Sequence, residues 1–406
     1  MVTSILRKIF RGGKSAELRE KDVAAALTRG RQQLAERLGR GIPRVLVVKQ
    51  DVNEDLYCCP PNAGAAEIVD STLLRSGPVA LFSDLKADFL IVRTEDDPEC
   101  GIWKERATIL KWDSLEFFAS YQRQIPGREY GQNSLAFSVE DVDWDQYDIV
   151  ISMDISIPSR VTKRFPKTLW CYYVREIKAP AYKASLTSAA AGYDRVLNHY
   201  FRLNRPALPA HVLEFPYHLQ YFGCFHQLFG MKLPDPAERH GVFADHHTML
   251  RLSANERAEL QNFGWLASTI HTGDREVIPS SERLARRTMD PDLKEKLLNS
   301  RFFLITPGQR SVFGTALVEA IAAGCLAIGS PESFRVHGYL FSSATSAVST
   351  VDAVRKMNQL TLDPQLLQQE VTRQRMLIDF VCFVRPLLDL LQALDAKRAD
   401  SSLTHK

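Results

Sequence analysis

Glu319 stands in the middle of a small, apolar run, ALVEAIAAG, and is the residue of this 406-residue chain whose setting most asks for chemistry. An ionised carboxylate there is costly to bury without polar partners. Its two oxygens can accept a pair of hydrogen bonds from a diol. An exposed helix glutamate, or one paired with a nearby arginine, fits the same spacing. Just upstream, Pro307 and Gly308 end an apolar run, and Ser311 is placed to cap the helix that follows. Gly314 allows a ligand to approach the backbone closely. The first-turn N–H groups of Ser311, Val312, Phe313, Gly314 and Thr315, together with the helix dipole, favour a diphosphate.

Other candidates surround this stretch. Arg310, in the loop before the helix, and Arg251, after the run GVFA, carry the fork geometry that matches phosphate oxygens. Each reads equally well as a solvated surface arginine. His246 and His247 are placed in a loop after the same GVFA strand, where His246 could contact a bound ligand. No carboxylate or cysteine stands near them at metal-ligand spacing, so a metal is not expected. In PPNAGAAE, Gly64 could present backbone N–H groups to phosphates, or serve a turn with positive φ. Asp154 ends DIVISMD and Glu176 follows LWCYYVR; each is placed where an acceptor hydroxyl could meet a base. A helix cap, or an ion pair with Arg160 or Arg175, would use them as well.

Strands and helices alternate in the way needed to position these residues. Short β-branched runs predict strands at 44–49, 79–82, 89–92, 107–110, 149–152, 168–173, 192–198 and 212–215. After an aromatic, Gly- and Pro-rich stretch at 216–236, further strands are expected at 241–244, 268–271, 301–306 and 325–329. Helical spacing marks 15–41, 253–261, 316–323 and a long C-terminal stretch from about 364 to 396. The outline is two successive α/β units with parallel sheets covered on both faces. The expected division is a basic helical extension at 1–41, one unit at 42–218, a second at 219–396, and a polar tail at 397–406.

Composition sets outer limits. Hydrophobic residues at 45% and charged residues at 24% are ordinary for a globular enzyme. A formal charge of +3, from 51 basic and 48 acidic residues, does not suggest a nucleic-acid partner. Seven scattered cysteines suggest neither a disulfide framework nor a CxxC site and fit a reducing, cytoplasmic compartment. No run approaches the ~18 uninterrupted apolar residues of a membrane span, and no secretory leader is expected. Residues 1–14, MVTSILRKIFRGGK, space four apolar side chains along one helical face among basic ones. They read as a weak peripheral contact with the inner membrane surface or as a frayed basic tail.

The segment FGTALVEAIAAGCLAIGSPESF resembles the nucleotide-sugar signature of group 1 (retaining) GT-B glycosyltransferases and of the exostosin-like transferases. Weaker similarities in the expected order are YDIVISMD, DRVLNHYFR, HVLEFPYHLQYF and GVFADHHTMLR. The resemblance covers about residues 190–340 by motif, and residues 1–140 by topology. It implies a GT-B fold: two doubly wound, Rossmann-like domains facing a cleft, with the C-terminal helix returning to the first. It implies transfer of a hexose-like sugar from a nucleotide-diphosphate donor, with UDP or GDP as the carrier, to a hydroxyl of a glycan or lipid-linked acceptor. Polysaccharide or glycoconjugate biosynthesis would be the setting. Glu319 matches the family's second glutamate, which holds the ribose. Ser311 stands where the family places its first, and this departure leaves the donor sugar and the stereochemistry open. Asp154, Glu176 and Arg310 are the catalytic candidates, and no metal is expected because no Asp-x-Asp triplet stands at a strand end. A nucleotide-sugar epimerase, a non-catalytic partner subunit of the same fold and a membrane-surface scaffold are the alternatives.

Overall fold

The computed structural model describes residues 20–50, 85–92, 107–110, 135–136, 142–153, 157–174, 192–198, 212–214, 228–229, 231–244, 246–268, 293–305, 315–331 and 338–403. The chain divides into two compact units, one of residues 32–223 with 383–406, the other of residues 1–31 with 224–382.

The first unit is built on an eight-stranded sheet. Its strands are β1 (Val45–Gln50), β2 (Asp88–Val92), β3 (Ala107–Leu110), β4 (Leu135–Ala136), β5 (Ile149–Met153), β6 (Leu169–Val174), β7 (Arg195–Asn198) and β8 (Val212–Glu214). The order is β4-β3-β2-β1-β5-β6-β7-β8. From β2 to β8 the strands run parallel, Val47 lying beside Phe89 on one side and Ile151 on the other. In β1, Val45, Leu46, Val47 and Val48 are all buried, as a central parallel strand covered on both faces requires. Beyond β2 the sheet turns antiparallel through β3 and β4, an edge that the alternation of strands and helices did not foreshadow. One face packs Leu46, Val48 and Val150 against Trp144, Trp170 and Val161, the last from helix α2 (Ser159–Arg164). The Trp144 and Trp170 rings meet at 5.3 Å.

Helix α1 (Glu20–Gly39) fills the predicted N-terminal helical segment. The second unit has a four-stranded, wholly parallel sheet of β9 (His240–Ala244), β10 (Leu266–Ser268), β11 (Ser300–Leu304) and β12 (Leu326–Ile328), in the order β10-β9-β11-β12. Its helices are α3 (His246–Arg251), α4 (Ala254–Gln261), α5 (Leu293–Asn299), α6 (Thr315–Ala322), α7 (Thr350–Leu362) and α8 (Pro364–Ile378). Val242, Phe302, Leu304, Leu326 and Ile328 form a core with Leu260 of α4, Met357 and Leu360 of α7, and Leu367 and Val371 of α8. Phe243 and Phe303 stack at 6.1 Å. A capping box of Ser253 and Glu256 starts α4, and Asp363 with Pro364 starts α8. A π-helical turn, Asp379–Val384, leads from α8 into α9 (Arg385–Leu403). Helix α9 returns to the first sheet, packing along β6 and β8. Lys397 bonds Asp194 at 2.6 Å, Arg398 bonds Asp148 at 2.5 Å, and Arg37 of α1 pairs with Asp395.

The strand expected at 268–271 is found as Leu266–Ser268, and the one expected at 79–82 lies outside the described residues. Among the described residues no helix is long and apolar enough to cross a membrane.

The edge of the second sheet is closed by a side chain. Gln374 of α8, fully buried, accepts from the Ala327 N–H at 2.9 Å and donates to the Ala327 carbonyl at 3.0 Å. Its amide thus supplies the bonds a further strand would make to β12. Replacement by leucine leaves a buried N–H and C=O without partners, so Gln374→Leu is expected to lower unfolding free energy by about 2–4 kcal/mol. Urea denaturation of both proteins measures this.

Candidate functional site

In the four-stranded sheet the chain runs outward from β9 to β10 on one side and from β11 to β12 on the other. The strand order therefore reverses between β9 and β11. A crevice at the carboxyl ends of the strands at such a point is where open α/β sheets bind ligands. Those ends are Ala244 and Leu304, and the segments that follow them lead into α3 and α6. Helices α3 and α6 thus each follow a strand on either side of that reversal.

Helix α6 is apolar nearly all round, and Leu317, Val318, Ala320, Ile321 and Ala322 are each 1% exposed or less. A helix with apolar residues on every side belongs in the interior. It stops in a Schellman turn: the Cys325 N–H bonds the Ala320 carbonyl at 2.9 Å, and the Gly324 N–H bonds that of Ile321 at 3.0 Å. Gly324 takes φ +87°, and a Cβ placed on it would come within 2.8 Å of the Arg239 guanidinium and 2.9 Å of Leu233. Arg239, itself buried, donates to the Ala323 carbonyl at 2.7 Å, placing a cation at the negative end of the helix. Burial pulls the Arg239 pKa below its ordinary value. Cys325 next to the turn donates to the Leu297 carbonyl at 3.1 Å, and burial pushes its thiol up to about 12, which leaves it inert.

Glu319 projects from this clamped helix and is 1% exposed. A carboxylate so placed needs polar partners to stay ionised. The structure thus removes the exposed-glutamate reading of its spacing.

His246 opens α3 and Arg251 closes it, Arg251 being exposed. The loop expected around His246 and His247 is therefore corrected to helix: HHTMLR closes a turn directly after β9, with Thr248 fully buried beneath it. Thr315 is the first residue of α6. Gly64, Asp154, Glu176, Arg310, Ser311, Val312, Phe313 and Gly314 lie outside the described residues. Among the described residues no three His, Cys, Asp or Glu side chains are grouped to hold a metal ion. Sequence reasoning missed Arg239, because its partner carbonyl stands 84 residues away and no local pattern marks it.

Neither a protein-family model nor a curated protein matches the chain. Among solved structures, an α-glucosyltransferase in complex with UDP and a 13-mer DNA is similar at TM-score 0.45 and 12% identity, over 86% of this chain and 100% of that one. The glycosyltransferase from Rickettsia africae ESF-5 is similar at TM-score 0.45 and 11% identity, over 87% of this chain and 98% of that one. Anabaena HepE in complex with UDP and glucose is similar at TM-score 0.42 and 11% identity, over 87% of this chain and 100% of that one. Likeness at this level carries no argument about activity.

Gly324→Ala is expected to be among the more damaging single-methyl additions in the chain. A left-handed φ and a displaced buried guanidinium together cost about 2–4 kcal/mol. Gly39→Ala, where an added methyl meets nothing within 4 Å, is the near-neutral control. Thermal or urea unfolding of the two variants gives the comparison.

Proposed function

We propose that the protein is a GT-B glycosyltransferase that transfers a hexose-like sugar from a nucleotide-diphosphate donor to a hydroxyl of a glycan or lipid-linked acceptor. The observation that carries this reading is the buried carboxylate of Glu319 on α6, the helix that follows β11 in the sheet whose strand order reverses between β9 and β11. A ribose diol is a fitting partner for such a group, since it can donate two hydrogen bonds to one carboxylate. The sequence from Arg310 to Thr315 then supplies N–H groups and a guanidinium for the departing diphosphate. Asp154 or Glu176 would accept the proton of an acceptor hydroxyl in an inverting transfer, and the donor phosphate itself would do so in a retaining one. His246 and Arg251 follow β9 across the same strand ends.

On this reading catalysis is positioning plus electrostatic stabilisation of the leaving group, without a metal. The near balance of acidic and basic residues supports a neutral or lipid-linked glycan over a polyanion as acceptor. The buried thiols of Cys171, Cys325 and Cys382 are free, which suits a reducing cytoplasm. Residues 1–14 would add weak contact with the inner membrane surface.

Thermal-shift measurements against UDP, GDP and their sugars test the reading, with Glu319→Ala beside the wild type. A ligand at 100 times its Kd adds about 2.7 kcal/mol to folded-state stability. The expected result is a shift selective for one nucleotide and lost in Glu319→Ala. A well-folded sample that shifts with no nucleotide would contradict it.

A further inference from the structure

At the amino ends of the second sheet's strands, opposite the candidate donor site, lies a groove of about 930 Å³. His240 opens β9 and Arg301 is the second residue of β11, and both line it. One wall follows the end of α4 and carries Asn262 and Phe263. The other is the face of α7 that bears Val351, Arg355, Asn358 and Leu362, residues spaced three or four apart as one helical stripe must be. That stripe is uncovered, with Val351 67% and Leu362 86% exposed. Gly264 lines the groove, and Gly241 lies next to His240 in the chain. Gly241, at φ +80°, lies so close under the Trp265 indole that a Cβ would sit 2.4 Å from the ring. Gly264, at φ +120°, brings the turn after α4 against His240.

Arg301 determines what this groove can hold. It is 8% exposed and donates to Thr361 Oγ1 at 3.3 Å and to the Ala237 carbonyl at 2.8 Å. Both acceptors are neutral, its Nε has no acceptor, and among the described residues no carboxylate pairs with it. A buried cation without a counter-charge is costly, and burial accordingly lowers its pKa. Arg355 differs, having its counter-charge in Asp352 of the same helix at 2.6 Å. Glu259 adds an acid at the α4 wall, away from any pairing with Arg301. Around Arg301, Asn262, Asn358 and Gln359 offer amide donors and acceptors of the kind that bind hydroxyls. The half-buried ring of Phe263 offers an apolar face.

We infer that this groove binds a phosphorylated sugar, its phosphate toward Arg301 and its hydroxyls on the amides of Asn262, Asn358 and Gln359. The volume is ample for a ligand of that size. The site stands apart from the donor reading and does not depend on it.

Glucose 1-phosphate, titrated calorimetrically into the full chain with and without saturating UDP, is the test. Binding is expected to persist with UDP present and to weaken by about tenfold or more in Arg301→Gln. Asn358→Glu changes an exposed residue and sets a negative charge in the groove, so it leaves the fold intact and is expected to weaken binding likewise. Equal affinity in wild type and Asn358→Glu overturns the inference. Loss of binding on adding UDP does so too, by assigning the probe to the nucleotide site, and so does the absence of binding. Should UDP itself not bind the chain, the donor reading fails and the Asn358→Glu comparison decides the groove by itself.

Discussion

Helix α6 has no polar side to offer the solvent, so its burial against α8 and the face of β11 and β12 governs what the second unit can do. An apolar helix in the interior still has carbonyls to satisfy at its end, and here a left-handed glycine and a buried arginine satisfy them. Gly324 is required twice over, by its φ and by the guanidinium lying against it. With that end fixed, Glu319 is held inside a well-packed unit with little freedom to swing outward. In the proposed reading, a carboxylate held in that way would meet a diol with its geometry already set.

The same economy of polar groups recurs through the unit. Gln374 finishes the sheet at β12, Arg375 of α8 donates to the Leu228 carbonyl at 2.6 Å, and Arg373 bonds the Leu340 carbonyl at 2.5 Å while pairing with Glu370. Long side chains from α8 thus close backbone groups left open at strand and loop ends. Arg301 likewise bonds a neutral carbonyl and a hydroxyl, as Arg239 bonds the Ala323 carbonyl, but Arg301 also lines the groove beside α7.

The fold was legible wherever an apolar run was short, β-branched and bounded by turns: β1, β5, β6, β9, β11 and β12 stand within a residue or two of their expected places. Helix α7 was missed because its buried positions, Ala353, Met357 and Leu360, are few among polar residues in TVDAVRKMNQLTL. The π-helical turn at Asp379–Val384 was hidden because DFVCFV is compatible with an unbroken helix. Around the site, Glu319 was recognisable from its apolar neighbours, whereas Arg239 and Gln374 act across 84 and 47 residues and leave no local trace. The histidine pair was read as a loop because HHTMLR is too short and mixed for helical periodicity to show.

Hydrogen exchange of the full chain, followed peptide by peptide with and without a nucleotide diphosphate that binds it, locates the donor on the fold. Added protection is expected in the peptides spanning 304–325 and 244–251, which begin at the carboxyl ends of β11 and β9. Protection confined to other peptides, with these two unchanged, would contradict the placement of the donor beside Glu319.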